Sequence, residues 1–265
     1  MFINKSDNKI ANDYIDKGYV ITKIEELTSL DYIDNFFKST IEDLSNTKLD
    51  KKNLINDLNH FHQTIDTNDL NNIRLKIINN LNSDNDFKFH YYNLSKKYLD
   101  IIVGNELAMQ QKINLSIQLP KDNSSLLPLH ADVWSGDSPF EVVVWFPLVD
   151  CYKTKSMYLL PPSKMKKLDD NFSNLGSKSS DDLFNLIKDD LIWLDIKKGE
   201  IFLFNQALPH GNIVNDEDET RWSMNCRFKN IFTPYGDKKL GEFFRPISLK
   251  PASKIGLNYK FPKLG

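Results

Sequence analysis

Residues 221–228 read "RWSMNCRF", a run that alternates polar and apolar without a break. Successive side chains of an extended strand point to opposite faces. Arg221, Ser223, Asn225 and Arg227 therefore share one face, and Trp222, Met224, Cys226 and Phe228 share the other. The apolar face needs a core to cover it. The polar face, with two guanidinium groups in seven residues, asks for an anionic partner.

Short β-rich runs separated by turn residues surround this stretch. They are "QKINLSIQL" (111–119), "FEVVVWFPL" (140–148), "SMYLLP" (156–161), "IWLDI" (192–196) and "EIFLFN" (200–205), with "RWSMNCRFKNIF" (221–232) as the last. Only "SDDLFNLIK" (180–188) reads as a helix among them, so the spacing predicts an antiparallel sandwich or barrel. Upstream the texture is polar and helical. After a strand-like "GYVITKI" (18–24), Ser29 is placed to cap "LDYIDNFFKSTIEDL", where Leu30, Ile33, Phe36, Phe37, Ile41 and Leu44 recur at helical spacing. Further helices are expected over 69–82 and near 94–103. The expected architecture is a helical part (1–105) packed on a β core (106–235) with a C-terminal extension (236–265). No repeat, low-complexity tract or Pro-rich linker divides the 265 residues, so one folding unit is expected.

The formal net charge of −2 gives no electrostatic reason to expect nucleic acid or an anionic membrane surface as partner. The longest apolar run, "VVVWFPLV" (142–149), is too short to span a bilayer, and the start "MFINKSDNKIANDY" has no apolar leader core. Cys151 and Cys226 are the only cysteines and form no CxxC or Cys/His cluster. A disulfide framework and a cysteine zinc site are not suggested, and a cytoplasmic location is expected.

His130 and Asp132 flank Ala131, so in an extended segment both reach one face and one ion. His210, in "FLFNQALPHGNIV" (202–214), follows a strand by a short turn through Pro209. Two imidazoles and one carboxylate form a facial set that leaves three octahedral positions open, as expected for non-haem Fe(II) oxygenases. The same set also suits a hydrolytic zinc. Arg221, eleven positions beyond His210, and Ser223 then form a natural clamp for the distal carboxylate of 2-oxoglutarate, whose other end would chelate iron.

The order HxD, long spacer, His, then Arg with Ser two residues on resembles the Fe(II)/2-oxoglutarate-dependent oxygenases with a double-stranded β-helix (jelly-roll, cupin-like) core. The details look most like the phytanoyl-CoA hydroxylase-like branch. Within it, "HADVWSGDSPFEVVVWFPLVD" (130–150) followed by "SMYLLPPS" (156–163) is similar to oxygenases of streptomycin and surface-polysaccharide biosynthesis clusters. The resemblance covers about 110–232 and the "KGYVITKI" opening, whereas roughly 45–105 matches no named pattern. It implies His130, Asp132 and His210 as iron ligands, Arg221 and Ser223 as the clamp, and co-substrate contacts from Asn114, Ser116 and Gln118. It also implies Fe(II), 2-oxoglutarate and O2 as the reacting set, with release of succinate and CO2. Intact Asp132 favours hydroxylation over halogenation, because halogenating relatives carry a small residue there. Where many relatives have a PGSH-like turn, this chain has Pro161, Pro162, Ser163 and Lys164.

The substrate class implied is a carbohydrate or sugar-containing intermediate, with a small polar metabolite, amino acid or lipid-like acid as the alternative. A metal-binding jelly-roll protein without activity is a second function class. A cupin-type isomerase or hydrolase fits less well, since that pattern wants HxH with a later Glu. Arg227 either holds an anionic substrate group or pairs with a carboxylate at the barrel mouth. Trp134 is expected at the substrate rim. His60 and His62 of "HFH", having no third partner nearby, read as a helix-end pair, and Lys164, Lys166 and Lys167 as a solvated group.

Overall fold

The alternating stretch forms the long strand β9 (Arg221–Asn230) at the centre of the larger sheet. The computed structural model describes residues 4–45, 53–170 and 179–262. Residues 46–52 of the unassigned stretch and 263–265 of the expected C-terminal extension lie outside the described residues.

Five strands complete the main run of that sheet: β1 (Tyr19–Lys23), β2 (Leu107–Gln110), β4 (Glu141–Pro147), β7 (Glu200–Asn205) and β10 (Phe244–Pro246). Their order is β1-β7-β4-β9-β2-β10, all antiparallel. β3 (Asn114–Gln118) shares the second edge of β9 with β2, pairing Asn114 with Asn225, Ser116 with Ser223 and Gln118 with Arg221. A smaller sheet contains β5 (Tyr158–Leu159), β6 (Ile192–Trp193) and β8 (His210–Gly211) in the order β6-β5-β8. These two antiparallel sheets form the jelly-roll core, as expected from the sequence, and helices flank it.

The outer face of the larger sheet is apolar and covered. Val142, Val144 and Phe146 of β4 stand beside Phe228, Cys226 and Met224 of β9, and each is buried. Helices α1 (Lys5–Lys17), α2 (Leu27–Ser45), α3 (Leu54–Asn59), α4 (Leu70–Ser83) and α5 (Asn85–Ile102) precede β2 in the chain, and residues of α2–α5 join this core. Trp222 sits edge-on to Phe61, ring centres 4.9 Å apart, and to Phe37 at 6.2 Å. Its indole N–H donates to the Leu58 carbonyl at 3.0 Å. Tyr91 of α5 donates its hydroxyl to the Val144 carbonyl at 2.8 Å, tying helix to sheet through a buried hydrogen bond.

Some boundaries differ from expectation. α2 begins at Leu27, so Ser29 lies in its first turn rather than at its cap, and its Oγ is 3.0 Å from His90 Nδ1. The helix expected near 94–103 starts at Asn85, where Asp84 caps it by accepting from the Asp86 and Phe87 amides. The runs 156–161 and 192–196 yield strands of two residues each, and Ile196 adds an isolated bridge to Cys151. Helix α6 (Lys166–Asp169) precedes α7 (Ser180–Ile187), which has a full capping box from Ser179 and Asp182. The C-terminal extension contributes β10 and an exposed helix, α8 (Pro251–Asn258). Among the described residues no helix is long and apolar enough to cross a membrane.

Candidate active site

His130 and His210 face each other across an antiparallel bridge, each amide donating to the other's carbonyl at 3.0 and 2.8 Å. Ala131 is extended (φ −123°, ψ 134°), so Asp132 turns toward the same place as His130 before the chain enters the 3-10 turn Asp132–Ser135. One ligand atom from each of His130, Asp132 and His210 lies within 4.8 Å of the other two. Their separation in sequence is thus removed by one bridge and one turn.

The ring nitrogens are assigned by their partners. His130 Nδ1 lies 2.8 Å from the Pro128 carbonyl and His210 Nδ1 lies 2.8 Å from the Leu208 carbonyl. A carbonyl can only accept, so both Nδ1 atoms carry hydrogen and both Nε2 lone pairs remain available to a metal. Burial, with His130 adjacent, pushes the His210 pKa down to about 4, leaving its imidazole neutral at neutral pH.

A cavity of about 210 Å³ contains these three residues and the inner face of β9 and β3. Arg221, Ser223, Asn225 and Arg227 all line it, as the alternation predicts. Arg221 is only 3% exposed, and burial pushes its pKa down to about 10, which still leaves it cationic at neutral pH. It donates to the Ser156 carbonyl at 3.2 Å and to Ser116 Oγ at 3.0 Å, and its Nε–H has no partner. Among the described residues no carboxylate pairs with it. Ser223 stands two pairs further along, opposite Ser116.

The other expected site residues divide. Asn114 lines the cavity and donates to Asn225 Oδ1 at 2.9 Å. Gln118 does not line it: fully buried, it donates to the Ile213 carbonyl at 2.7 Å and accepts from Asn212 Nδ2 at 3.3 Å. The amide of Gln118 therefore orders Asn212, which itself lines the cavity. Trp134 is 38% exposed on the turn after Asp132 and lies outside the cavity lining. Arg227 pairs with carboxylates, the second of its two expected readings: its Nη2 is 2.9 Å from Asp132 Oδ1 and 3.7 Å from Asp137 Oδ2.

Sequence reasoning gave no role to Trp145, Met157, Phe204 or Asn212, which also line the cavity. The first three sit in apolar runs where a cavity wall and a packed core look alike. His60 and His62 sit at the C-terminal end of α3, His60 as its cap: His60 Nδ1 lies 2.9 Å from the Asn56 carbonyl and His62 Nδ1 lies 3.0 Å from Thr220 Oγ1. Lys164 and Lys167 pair with Asp190 at the surface.

The sequence matches no protein-family model, and no curated protein matches it in sequence. Solved structures do resemble it. The nickel complex of the non-haem monooxygenase ThoJ superposes with a TM-score of 0.55 at 11% identity, covering 92% of this chain and 85% of ThoJ. EctD from S. alaskensis, with 2-oxoglutarate and 5-hydroxyectoine, gives 0.55 at 12% identity over 89% and 80% of the two chains. HygX from Streptomyces hygroscopicus, with nickel and 2-oxoglutarate, gives 0.51 at 13% identity over 90% of each. At such identities the likeness is one of fold, and the fold of this chain is that of the jelly-roll non-haem oxygenase structures.

Proposed function

We propose that the protein is an Fe(II)- and 2-oxoglutarate-dependent dioxygenase that oxidises, by default hydroxylates, a C–H bond of a small molecule. The observation that carries this reading is Arg221, a buried guanidinium without an acidic partner among the described residues, lining the same cavity as two histidines and an aspartate. A buried charge is costly unless paired. The missing partner is supplied by a ligand carboxylate, and the donor set beside it fits Fe(II).

His130 and His210 would present their Nε2 lone pairs, and Asp132 a carboxylate oxygen, to the metal. Arg221 would hold the distal carboxylate of 2-oxoglutarate through its fork, with the Ser223 hydroxyl donating beside it. Asn114 and Asn225 line the cavity as an amide pair and would contact the co-substrate. Trp145, Met157 and Phe204 supply apolar walls that exclude water from the reacting space. When bound, iron, 2-oxoglutarate and O2 supply the oxidising power and release succinate and CO2, while the chain orients the target carbon.

The substrate class we infer is a carbohydrate or sugar-containing intermediate, supported by the resemblance over 130–163. The EctD structure contains 5-hydroxyectoine, which makes a small polar metabolite the second class to test. Two buried free thiols, Cys151 and Cys226, support a reducing, cytoplasmic setting. Anaerobic addition of Fe(II) and 2-oxoglutarate tests the site: a visible charge-transfer band is expected, weakened in Arg221→Ala. No band, with Arg221→Ala indistinguishable from wild type, rejects the oxygenase reading. Succinate release across sugars, sugar nucleotides, glycosides, amino acids and acyl acids then decides the substrate class.

A further inference from the structure

Arg227 is the second guanidinium on the inner face of β9, and its surroundings differ from those of Arg221. Its Nη2 touches Asp132 Oδ1 at 2.9 Å, and that oxygen is also 3.6 Å from His130 Nε2. The oxygen it holds is thus the one that also approaches His130 Nε2. Arg227 in turn is flanked by Asp137, whose side chain is 1% exposed and accepts from Lys238 Nζ at 2.7 Å. Both cations lie over the Phe243 ring, the guanidinium carbon at 5.8 Å and Lys238 Nζ at 4.7 Å from its centre.

The segment that carries Lys238 and Phe243 is seated against the turn that follows Asp132. Asp237 donates its amide to the Gly136 carbonyl at 2.9 Å, and Ser138 Oγ donates to the Pro234 carbonyl at 2.6 Å. Gly236 packs so closely that a Cβ there would lie 2.2 Å from the Gly136 carbonyl oxygen. Residues 234–243, beyond the last long strand, therefore reach Asp132 through three successive ion pairs, Lys238 to Asp137, Asp137 to Arg227 and Arg227 to Asp132.

Resting on the reading of His130, Asp132 and His210 as metal ligands, we propose that Arg227 is a positioning residue for Asp132. We further propose that the segment 234–243 is the clasp that fixes Arg227. A carboxylate at the start of a turn can rotate about its own side-chain bonds, and the guanidinium removes that freedom. Groups that orient a metal ligand through hydrogen bonds govern metal affinity by about 10–100-fold. A cation so near the ligand would also repel the metal, and Asp137 offsets that charge.

The test uses the full chain and Co(II) as probe, with affinity from calorimetric titration and coordination from the visible spectrum at saturating metal. His210→Ala is expected to abolish wild-type binding. Arg227→Gln and Arg227→Lys are expected to weaken Co(II) about 10–100-fold and to alter the spectrum. Lys238→Ala, at a partly exposed position, is expected to give a smaller loss in the same direction. It carries the test if the Arg227 variants unfold. Wild-type affinity and spectrum in the Arg227 variants, or in Lys238→Ala should those not fold, overturn the positioning role while His210→Ala still loses metal. Equal Co(II) binding by wild type and His210→Ala instead overturns the metal-centre reading itself.

Discussion

Arg221 and Arg227 occupy one face of one strand, six residues apart, yet their chemistry diverges because of what the rest of the chain brings to them. Asp132 and Asp137 neutralise Arg227, whereas Arg221 meets only a carbonyl and a hydroxyl. The alternation in "RWSMNCRF" places both groups in the cavity but cannot distinguish them, since the deciding carboxylates lie about ninety positions upstream. Arg221→Lys keeps the charge and loses the planar fork, so one of two charge-assisted bonds to a ligand carboxylate is lost. Each such bond is worth about 1.5–3 kcal/mol, which corresponds to about 10–100-fold weaker 2-oxoglutarate binding. Anaerobic titration of 2-oxoglutarate into the Fe(II)-loaded variant measures it, and unchanged affinity would remove Arg221 from the co-substrate site.

At the scale of elements, β9 serves the cavity with one face and the helices with the other. Trp222→Phe removes the indole N–H and leaves the buried Leu58 carbonyl without that donor, an effect of about 1–3 kcal/mol. Urea unfolding should show that loss. 2-Oxoglutarate affinity should be little changed, because β3 pairs with both Arg221 and Ser223 and β4 pairs with Ser223 from the other side. Cys226, on the Trp222 face, and Cys151 are both fully buried. Burial raises both thiol pKa values, that of Cys151 to about 12, so the nucleophilic thiolate is scarce at pH 8. Iodoacetamide at that pH should label neither cysteine until denaturant is added, and rapid labelling of the native protein would contradict this packing.

Strand β9 was legible because eight residues, 221–228, keep one period, and its alternation is enforced by a covered face. The first half of α5 was not, because Phe87, Phe89 and Tyr91 also fit a period of two. Only Phe87 and Tyr91 are buried, while Phe89 is 57% exposed, and the helical set Phe87, Tyr91, Leu94, Tyr98 emerges once the sheet is in place. Strand β2 and the clasp at 234–243 carry no pattern of their own. The first is four residues long and buried on both faces, and the second acts through contacts with residues near 136 and 227. The convergence of His130, Asp132 and His210 was readable from residue type and order, whereas Gln118 lies outside the cavity lining because strand alternation gives a face and not a depth.

For the whole molecule, the helical part and the β core are expected to be one cooperative unit. Trp222, Met224, Phe228, Val144 and Phe146 are at most 5% exposed beneath the helices. Uncovered together they would form an apolar patch of the kind that drives association. The N-terminal part also supplies β1, which pairs with β7 over five residues and closes that edge of the larger sheet. A chain beginning at residue 106 would therefore expose both an apolar face and an unpaired strand edge. Such a truncation should be recovered in aggregates and show no cooperative urea transition, whereas the full chain should unfold in one step by both fluorescence and circular dichroism. A soluble truncation with its own sharp transition would instead make the jelly-roll an autonomous domain and 1–105 a separable cover. In that event Co(II) titration of the truncated chain would show whether His210 of β8 and Asp132 in the turn after Ala131 keep their geometry without the helices.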